Sequence, residues 1–210
     1  MRFYLLAGLC AGLLFASPVL AQPAAAQCEI HFYPAERLHS VGEDFDAVHK
    51  LDQDLKDYEL AAGRPLDWLT TDRQRALVDG AGVASTLGLS SATFSSSPTS
   101  LKRSQALAPG PHVTPAPACL VEVMVPQLLM ERGGLSFRSL RLFGIVRRYQ
   151  DGRMTSSYSG FAIGALPGFK LRNSSDAAAA TALVEAAYGN AVRALVSQSL
   201  THGQPKARPN

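Results

Sequence analysis

The chain has 210 residues, 18% of them charged, and a formal net charge of +3. So small a charge excludes the basic footprint with which nucleic-acid-binding domains neutralise phosphates. The length suits one domain large enough to bury a working core.

The first 21 residues predict a cleavable secretory signal. Arg2 supplies the positive charge, residues 3–15 form an apolar stretch of signal length, and small residues favoured by signal peptidase end at Ala21. A second possible cleavage site follows Ala26. Cleavage after Ala21 leaves 210 − 21 = 189 residues and removes one charge, so the formal charge falls to +2. We expect an exported protein, periplasmic or secreted, with no transmembrane segment after cleavage.

Two cysteines, Cys28 and Cys119, remain after that cleavage. An isolated pair in an oxidising compartment is more often bonded than free, so we predict a disulfide between them. Two buried, reduced thiols are the alternative. Neither Cys10, which follows Leu9, nor Cys28, which follows Gln27, has the preceding small residue that lipoprotein processing expects.

The N-terminal half predicts one strand and two helices. Apolar and polar residues alternate over 29–33, which is typical of a short strand. The capping-box spacing of Ser40 and Glu43, followed by apolar residues every three or four positions, predicts an amphipathic helix that begins after Ser40 and ends at about Ala62. The same spacing at Thr71 and Gln74 predicts a second, shorter helix, and we expect Trp68 to pack between the two.

Residues 84–118 are rich in Ser, Thr, Pro and Gly and hold few large apolar side chains. This composition predicts a flexible Ser/Pro-rich insert, either a long surface loop or a disordered segment. The strand predicted at 120–125 precedes Pro126, which cannot donate a ladder hydrogen bond. We therefore expect this strand to lie at a sheet edge or to end early.

The C-terminal part predicts a β-meander. A long strand over 135–149 leads to Asp151-Gly152, the residue pair that a type I′ hairpin turn favours, and a further strand covers 153–163. The two-residue turn places Gln150 opposite Arg153 and, with regular pairing, Ile145 opposite Tyr158.

A long helix is expected to follow, with Ser175 and Asp176 at its start and its end near Leu200. Its apolar side comprises Leu183, Val184, Ala187, Tyr188, Ala191, Val192 and Leu195, and this side must lie on a sheet. The tail, 201–210, is expected to be disordered. The whole predicts a single α+β domain over 22–200, with a mixed or antiparallel sheet whose C-terminal meander is covered by the last helix.

One face of the predicted meander combines aromatic residues with arginines and carries no acid. The candidate binding residues on it are Arg141, Phe143, Arg147, Tyr149 and Tyr158. Arg and Tyr suit the binding of carboxylates, phosphates and glycan rings and are common in protein interfaces. Two alternatives stay open: helices of the N-terminal half cover this face, or the arginines protect a strand edge.

No catalytic constellation or cofactor is predicted. His31, His39 and His49 lie near several aspartates, but their spacing matches no metal-ligand pattern. No serine lies in a nucleophile motif. We therefore hypothesise a non-enzymatic periplasmic protein of the cell envelope that binds a protein, an anionic lipid or a glycan. A hydrolase acting on envelope glycan or lipid is the alternative.

Overall fold

A computed structural model describes residues 27–41, 69–89, 91–133, 136–167 and 177–203. The predicted secretory signal, residues 42–62 of the first expected helix, Trp68 and residues 204–210 lie outside the described residues. So do Ser175 and Asp176, the expected start of the last helix. The helix cap expected at Ser40 is wrong, because His39–Val41 is a strand that pairs with residues 129–131. No helix in the described ranges is long and apolar enough to cross a membrane.

The described elements form one mixed sheet with helices packed against it. The described sheet has six strands. Five follow the order β3 (Thr93–Ser96), β1 (Glu29–Tyr33), β4 (Cys119–Gly133), β5 (Ser136–Gln150) and β6 (Arg153–Ala165), and β2 (His39–Val41) pairs with β4 beside this path. Pairing is parallel for β1 with β3, β1 with β4 and β2 with β4, and antiparallel along β4-β5-β6. This architecture confirms the predicted α+β class. In chain order the elements are β1 (Glu29–Tyr33), β2 (His39–Val41), α1 (Thr71–Gly80), α2 (Val83–Thr86), β3 (Thr93–Ser96), α3 (Arg103–Ala106), β4 (Cys119–Gly133), β5 (Ser136–Gln150), β6 (Arg153–Ala165) and α4 (Ala177–His202).

The predicted disulfide joins the starts of two neighbouring parallel strands. Cys28 immediately precedes β1, Cys119 is the first residue of β4, and Glu29 pairs with Leu120 one position further on. The two sulfur atoms are bonded, and the Cα atoms are 4.5 Å apart. The cross-link therefore fixes the register of two strands that are 91 residues apart in the chain.

The expectation that Pro126 places its strand at an edge or ends it is wrong. β4 continues through Pro126 to Gly133 and lies inside the sheet. Its pairing with β5 shifts between Met124 and Gln127, which is the signature of a β-bulge. A bulge leaves a residue out of the ladder, so a central strand can accommodate a proline that has no N–H to donate.

The segment 84–118 differs from the expected unstructured insert. It contains most of α2, all of β3 and all of α3, and β3 pairs with β1 at one side of the sheet. The ring of Phe94, in β3, lies 6.5 Å from the Phe32 ring, measured between ring centroids. A four-residue strand of Thr, Phe and Ser has too short a pattern to be recognised in a polar stretch.

The Asp151-Gly152 turn is confirmed, but the expected register beyond it is wrong. Both residues have positive φ, 50° and 74°, and Gln150 pairs with Arg153. The pairing then shifts, because Tyr149 faces Met154 while Arg148 faces Ser156. One extra residue, Thr155, reverses the side to which every later residue of β6 points.

The helix α4 packs on β5 and β6 and closes the main core, as the sequence predicts. Leu183 is an exception, because it is 39% exposed although it was expected on the buried side. Gly144 and Gly164 face the helix, and a Cβ at Gly164 would clash with the backbone of Ala187. The buried residues of α4 are Val184, Ala187, Tyr188, Ala191, Val192, Leu195, Val196 and Ser199.

The capping box expected at Thr71 and Gln74 is wrong by one residue. Thr70 is the N-cap of α1, and its hydroxyl oxygen accepts a hydrogen bond from the Arg73 N–H at 3.3 Å. The Gln74 side chain is fully buried instead of facing the helix start.

Candidate functional site

The side of the sheet opposite α4 is the candidate functional surface, and we call it the arginine face. On β5 it carries Arg141, Phe143, Ile145, Arg147 and Tyr149, which alternate with residues that face the helix. Four of the five predicted binding residues therefore share this face.

Tyr158, the fifth predicted binding residue, lies on the other side of the sheet. It pairs with Val146, which belongs to the core beneath α4. Its hydroxyl donates a hydrogen bond to Gln198 Oε1 on that helix at 2.8 Å. The bulge at Thr155 causes this change, and it brings Phe161 and Ile163 onto the arginine face opposite Phe143 and Arg141.

Part of the arginine face is covered by residues 101–113, which we call the strap. The strap contains α3, whose Ala106 is fully buried in a small second core. The Arg103 guanidinium lies over the Phe143 ring, 4.5 Å from its centroid. The remaining members of this core are Tyr33, Met124, Phe143 and Ile145, with Leu101 packed against them. The described residues that cover this region belong to the predicted insert, whereas the described helices α1 and α2 contact α4.

Two of the predicted binding residues bind the strap of their own chain. Arg147 Nη1 donates to the Ala108 carbonyl at 2.6 Å, and the Tyr149 hydroxyl donates to the Gly110 carbonyl at 2.8 Å. Both side chains are buried. Arg147 and Tyr149 therefore fasten the strap, and they do not form an open anion site in this structure.

A buried carboxylate completes this fastening. Glu122 on β4 is fully buried and pairs in register with His31 on one side and Arg147 on the other. It accepts hydrogen bonds from the His112 backbone N–H at 2.6 Å, and its second oxygen is 3.2 Å from His112 Nδ1. The other ring nitrogen is 2.9 Å from the Gln105 carbonyl oxygen. His112 is therefore held between β4 and α3.

The charge of Glu122 also affects the two tyrosines beside it. Burial, and then the Glu122 charge, raise the pKa of Tyr33 well above its usual range. The same two causes raise the pKa of Tyr149, although Arg147 opposes them. Both phenols therefore stay protonated, and the Tyr149 hydroxyl keeps the proton that it donates to Gly110.

Glu29, His31 and Ser95 form a second polar group at the β1–β3 side of the arginine face. Ser95 Oγ is 2.7 Å from both Glu29 Oε1 and His31 Nδ1. A nucleophilic relay needs the serine and the acid on different ring nitrogens. Here the acid and the serine contact the same nitrogen, at 3.3 Å and 2.7 Å, so the trio lacks that geometry.

The sequence analysis did not identify Glu122, His112 or Ser95. Glu122 could have been noticed, because it is a lone acid in the apolar run 120–125. His112 and Ser95 lie in the segment interpreted as an insert. His49 and the aspartates near it lie outside the described residues, and the described ones contain no group of three or more potential metal ligands.

The β6 side of the arginine face carries three exposed apolar side chains, with Ser157 and Ser159 between the first two of them. Met154, Phe161 and Ile163 are 54%, 44% and 54% exposed. The Phe161 ring contacts Phe143 at a centroid distance of 5.3 Å, and the Arg141 guanidinium lies 5.8 Å from its centroid. We call these three exposed residues the β6 strip.

No protein-family model matches the chain, and no curated protein is significantly similar to it. Among solved structures, it resembles protein XCC0632 from Xanthomonas campestris, described with the family model DUF330, at 12% identity, 88% coverage of this chain, 90% coverage of that one and a TM-score of 0.44. It also resembles the hypothetical protein CT253 from Chlamydia trachomatis at 12% identity, 84% and 95% coverage and a TM-score of 0.30. Neither likeness supports an inference about function. The disulfide is compatible with an exported protein.

Proposed function

We propose that this chain is a non-enzymatic exported protein of the cell envelope, and that it binds a protein partner through the β6 strip and the adjoining Arg141 and Phe143. The observation that carries this proposal is the alignment of three exposed apolar side chains on one strand. Apolar patches on soluble proteins often mark interaction sites, and aromatic and arginine side chains are enriched at such sites.

The strap narrows the proposed surface to this side of the sheet. Strap carbonyls accept hydrogen bonds from Arg147 and Tyr149. Glu122 is buried beneath the strap, and His112 is a partly buried residue of the strap itself. A partner that leaves the strap in place meets Phe161 and Ile163 first. These residues are therefore the best positions at which to test for contact.

The hydrolase alternative has less support among the described residues. It requires a water-accessible group of convergent polar side chains. Glu122 is fully buried beneath the strap, and its partner His112 is only 15% exposed. In the other polar group, Glu29 and Ser95 both contact Nδ1 of His31. We therefore favour the binding protein.

Photo-cross-linking in intact cells tests this proposal. A benzophenone amino acid is placed at Phe161 or Ile163 and, as the control, at Leu200, which is 45% exposed on α4. We expect a light-dependent adduct with one envelope protein from the first two positions and none from Leu200. Phe161→Ser should then reduce co-purification of that protein, and Leu200→Ser should not.

The mass of the adduct separates the other outcomes. An adduct with lipid or glycan alone would reject the protein partner, and equal adducts from all three positions would reject the site. An adduct only between two copies of this chain would also reject a different partner protein.

A further inference from the structure

Within the part of the chain that the structure describes, the outer edge of β6 has little of the usual protection of an edge strand. β6 has 13 residues and lies at the end of the strand order in the described sheet. The free backbone groups of an edge strand can pair with a strand of another chain. Short length, charged side chains, prolines or bulges normally prevent this pairing. Residues 154–165 contain no charged residue and no proline, and the one bulge lies near the start of the strand.

The opposite edge of the sheet is protected in the usual way. β3 has only four residues, so it offers few backbone groups for pairing. β6 differs in length and in regularity, because its pairing with β5 is unbroken from Ser156 to Ala165. About ten residues of regular strand give an edge roughly 34 Å long.

We propose that the outer edge of β6 pairs antiparallel with β6 of a second copy of this chain, so that the two sheets become continuous. The absence of charge along residues 154–165 allows this edge to pair with the same segment of a second copy without opposing like charges. An antiparallel pairing opposes residues 154–165 with an equally uncharged segment, and it places Arg153 of each copy at opposite ends of the junction. The arrangement has a twofold axis and closes on itself.

The faces of the sheet are compatible with this pairing. A twofold axis perpendicular to the sheet keeps both α4 helices on one side and both arginine faces on the other. A pairing centred on Gly160 sets Phe161 of one copy opposite Ser159 of the second copy and diagonal to its Phe161. Part of the apolar surface of the two Phe161 side chains is buried, which adds to the backbone hydrogen bonds.

The dimer is expected to be weak and reversible. Edge pairing of one strand buries less surface than a standard interface, so we expect a dissociation constant on the order of micromolar. The inference does not rest on the proposed partner protein, because it concerns the strand edge and is tested on the purified chain alone.

Sedimentation equilibrium with a matched pair of variants tests the dimer. Phe161→Lys and Leu200→Lys each replace an exposed apolar side chain with a positive charge. The two side chains are almost equally exposed, Phe161 at 44% and Leu200 at 45%. We expect the disulfide-bonded wild type to dimerise, Phe161→Lys to weaken the dimer at least about tenfold, and Leu200→Lys to leave it unchanged. Circular dichroism confirms that both variants are folded.

A cysteine scan distinguishes edge pairing from other contacts. Ser157, Ser159, Phe161 and Ile163 lie on one face of β6. Each is replaced by cysteine in a separate variant, and each variant is then oxidised mildly. Symmetric antiparallel pairing brings only the position nearest the twofold axis, and its immediate neighbour, close to its own copy. A wild type that stays monomeric at its solubility limit, or cross-linking of all four positions alike, would overturn the proposal.

Discussion

The Gln74 side chain bonds both backbone polar groups of Ala35. Its Oε1 accepts from the Ala35 N–H at 2.9 Å, and its Nε2 donates to the Ala35 carbonyl at 3.0 Å and to the Leu69 carbonyl at 2.9 Å. The Tyr188 hydroxyl donates to the same Oε1 at 3.2 Å. One buried amide thus ties the segment after β1 to α1 and α4.

Gln74→Leu is therefore expected to destabilise the protein by at least about 2 kcal/mol, because it leaves buried backbone groups without partners. Tyr188→Phe removes only the hydroxyl and leaves Gln74 bonded to Ala35, so its cost should be about 1 kcal/mol. Urea unfolding followed by circular dichroism measures both. Equal effects of the two variants would contradict this role of Gln74.

Removal of the disulfide should weaken the fold strongly. The cross-link closes a loop with a sequence separation of 91, and Cys28→Ser with Cys119→Ser is expected to cost about 4 to 5 kcal/mol by the chain-entropy model. Denaturant unfolding of the double variant and of the reduced wild type gives two independent measurements. A loss below about 1 kcal/mol in both would show that the bond adds little to the constraint of β1 on β4.

Glu122→Gln should loosen the strap. The change removes the charged acceptor that faces the His112 backbone N–H and ring. A hydrogen bond to a charged group contributes about 1.5 to 3 kcal/mol to stability. Hydrogen exchange should become faster over residues 107–113 and stay unchanged in α4. Glu36→Gln, at an exposed position, serves as the control. Unchanged exchange in the strap would contradict its fastening by Glu122.

Gly164→Ala should be more damaging than Gly144→Ala. A Cβ at Gly164 meets the backbone of Ala187, which cannot move without shifting α4, whereas a Cβ at Gly144 meets the flexible Leu195 side chain. We expect a cost of about 1 to 3 kcal/mol at Gly164 and less at Gly144. Thermal unfolding of the pair checks the register of β6, since the shifted register alone places Gly164 under the helix.

Stability should fall in alkali because buried tyrosines resist ionisation. Burial raises the pKa of Tyr188, as burial and Glu122 do for Tyr33 and Tyr149. The unfolded chain loses these protons above its ordinary tyrosine pKa of about 10 while the folded chain keeps them, so unfolding is favoured as the pH rises.

Tyrosinate absorbance and circular dichroism, recorded together against pH, measure this effect. We expect the three buried tyrosines to ionise only as the helical signal is lost. Full ionisation near pH 10 with the helical signal intact would contradict their burial.

Local sequence patterns determined several features correctly. Asp151 and Gly152 specify the hairpin turn because few residues adopt positive φ, and the periodicity of 177–202 identifies the buried side of α4. The predicted bond between Cys28 and Cys119 depended only on there being two cysteines in an oxidising compartment. The turn and the helix arise from backbone preferences and burial patterns that act over a few residues.

The candidate site was only partly predictable. Arg141, Phe143, Arg147 and Tyr149 share a face because residues alternate along one strand, and this follows from the sequence. Which of them are covered does not follow from the sequence, because the strap that binds Arg147 and Tyr149 comes from a segment with no strong local pattern. Which groups are covered depends on contacts between residues about 40 positions apart.

The sequence by itself determined the class of fold, the turn, the last helix and the cross-link, because each follows from local conformational preference or from simple chemistry. Tertiary structure decided where Thr155 bulges, and thereby whether Tyr158 or Phe161 points to the arginine face. It also allowed Pro126 inside a central strand and placed Glu122 under the strap. A strand has a side-chain period of two, so one extra residue reverses a face, and only packing against the rest of the molecule selects its position.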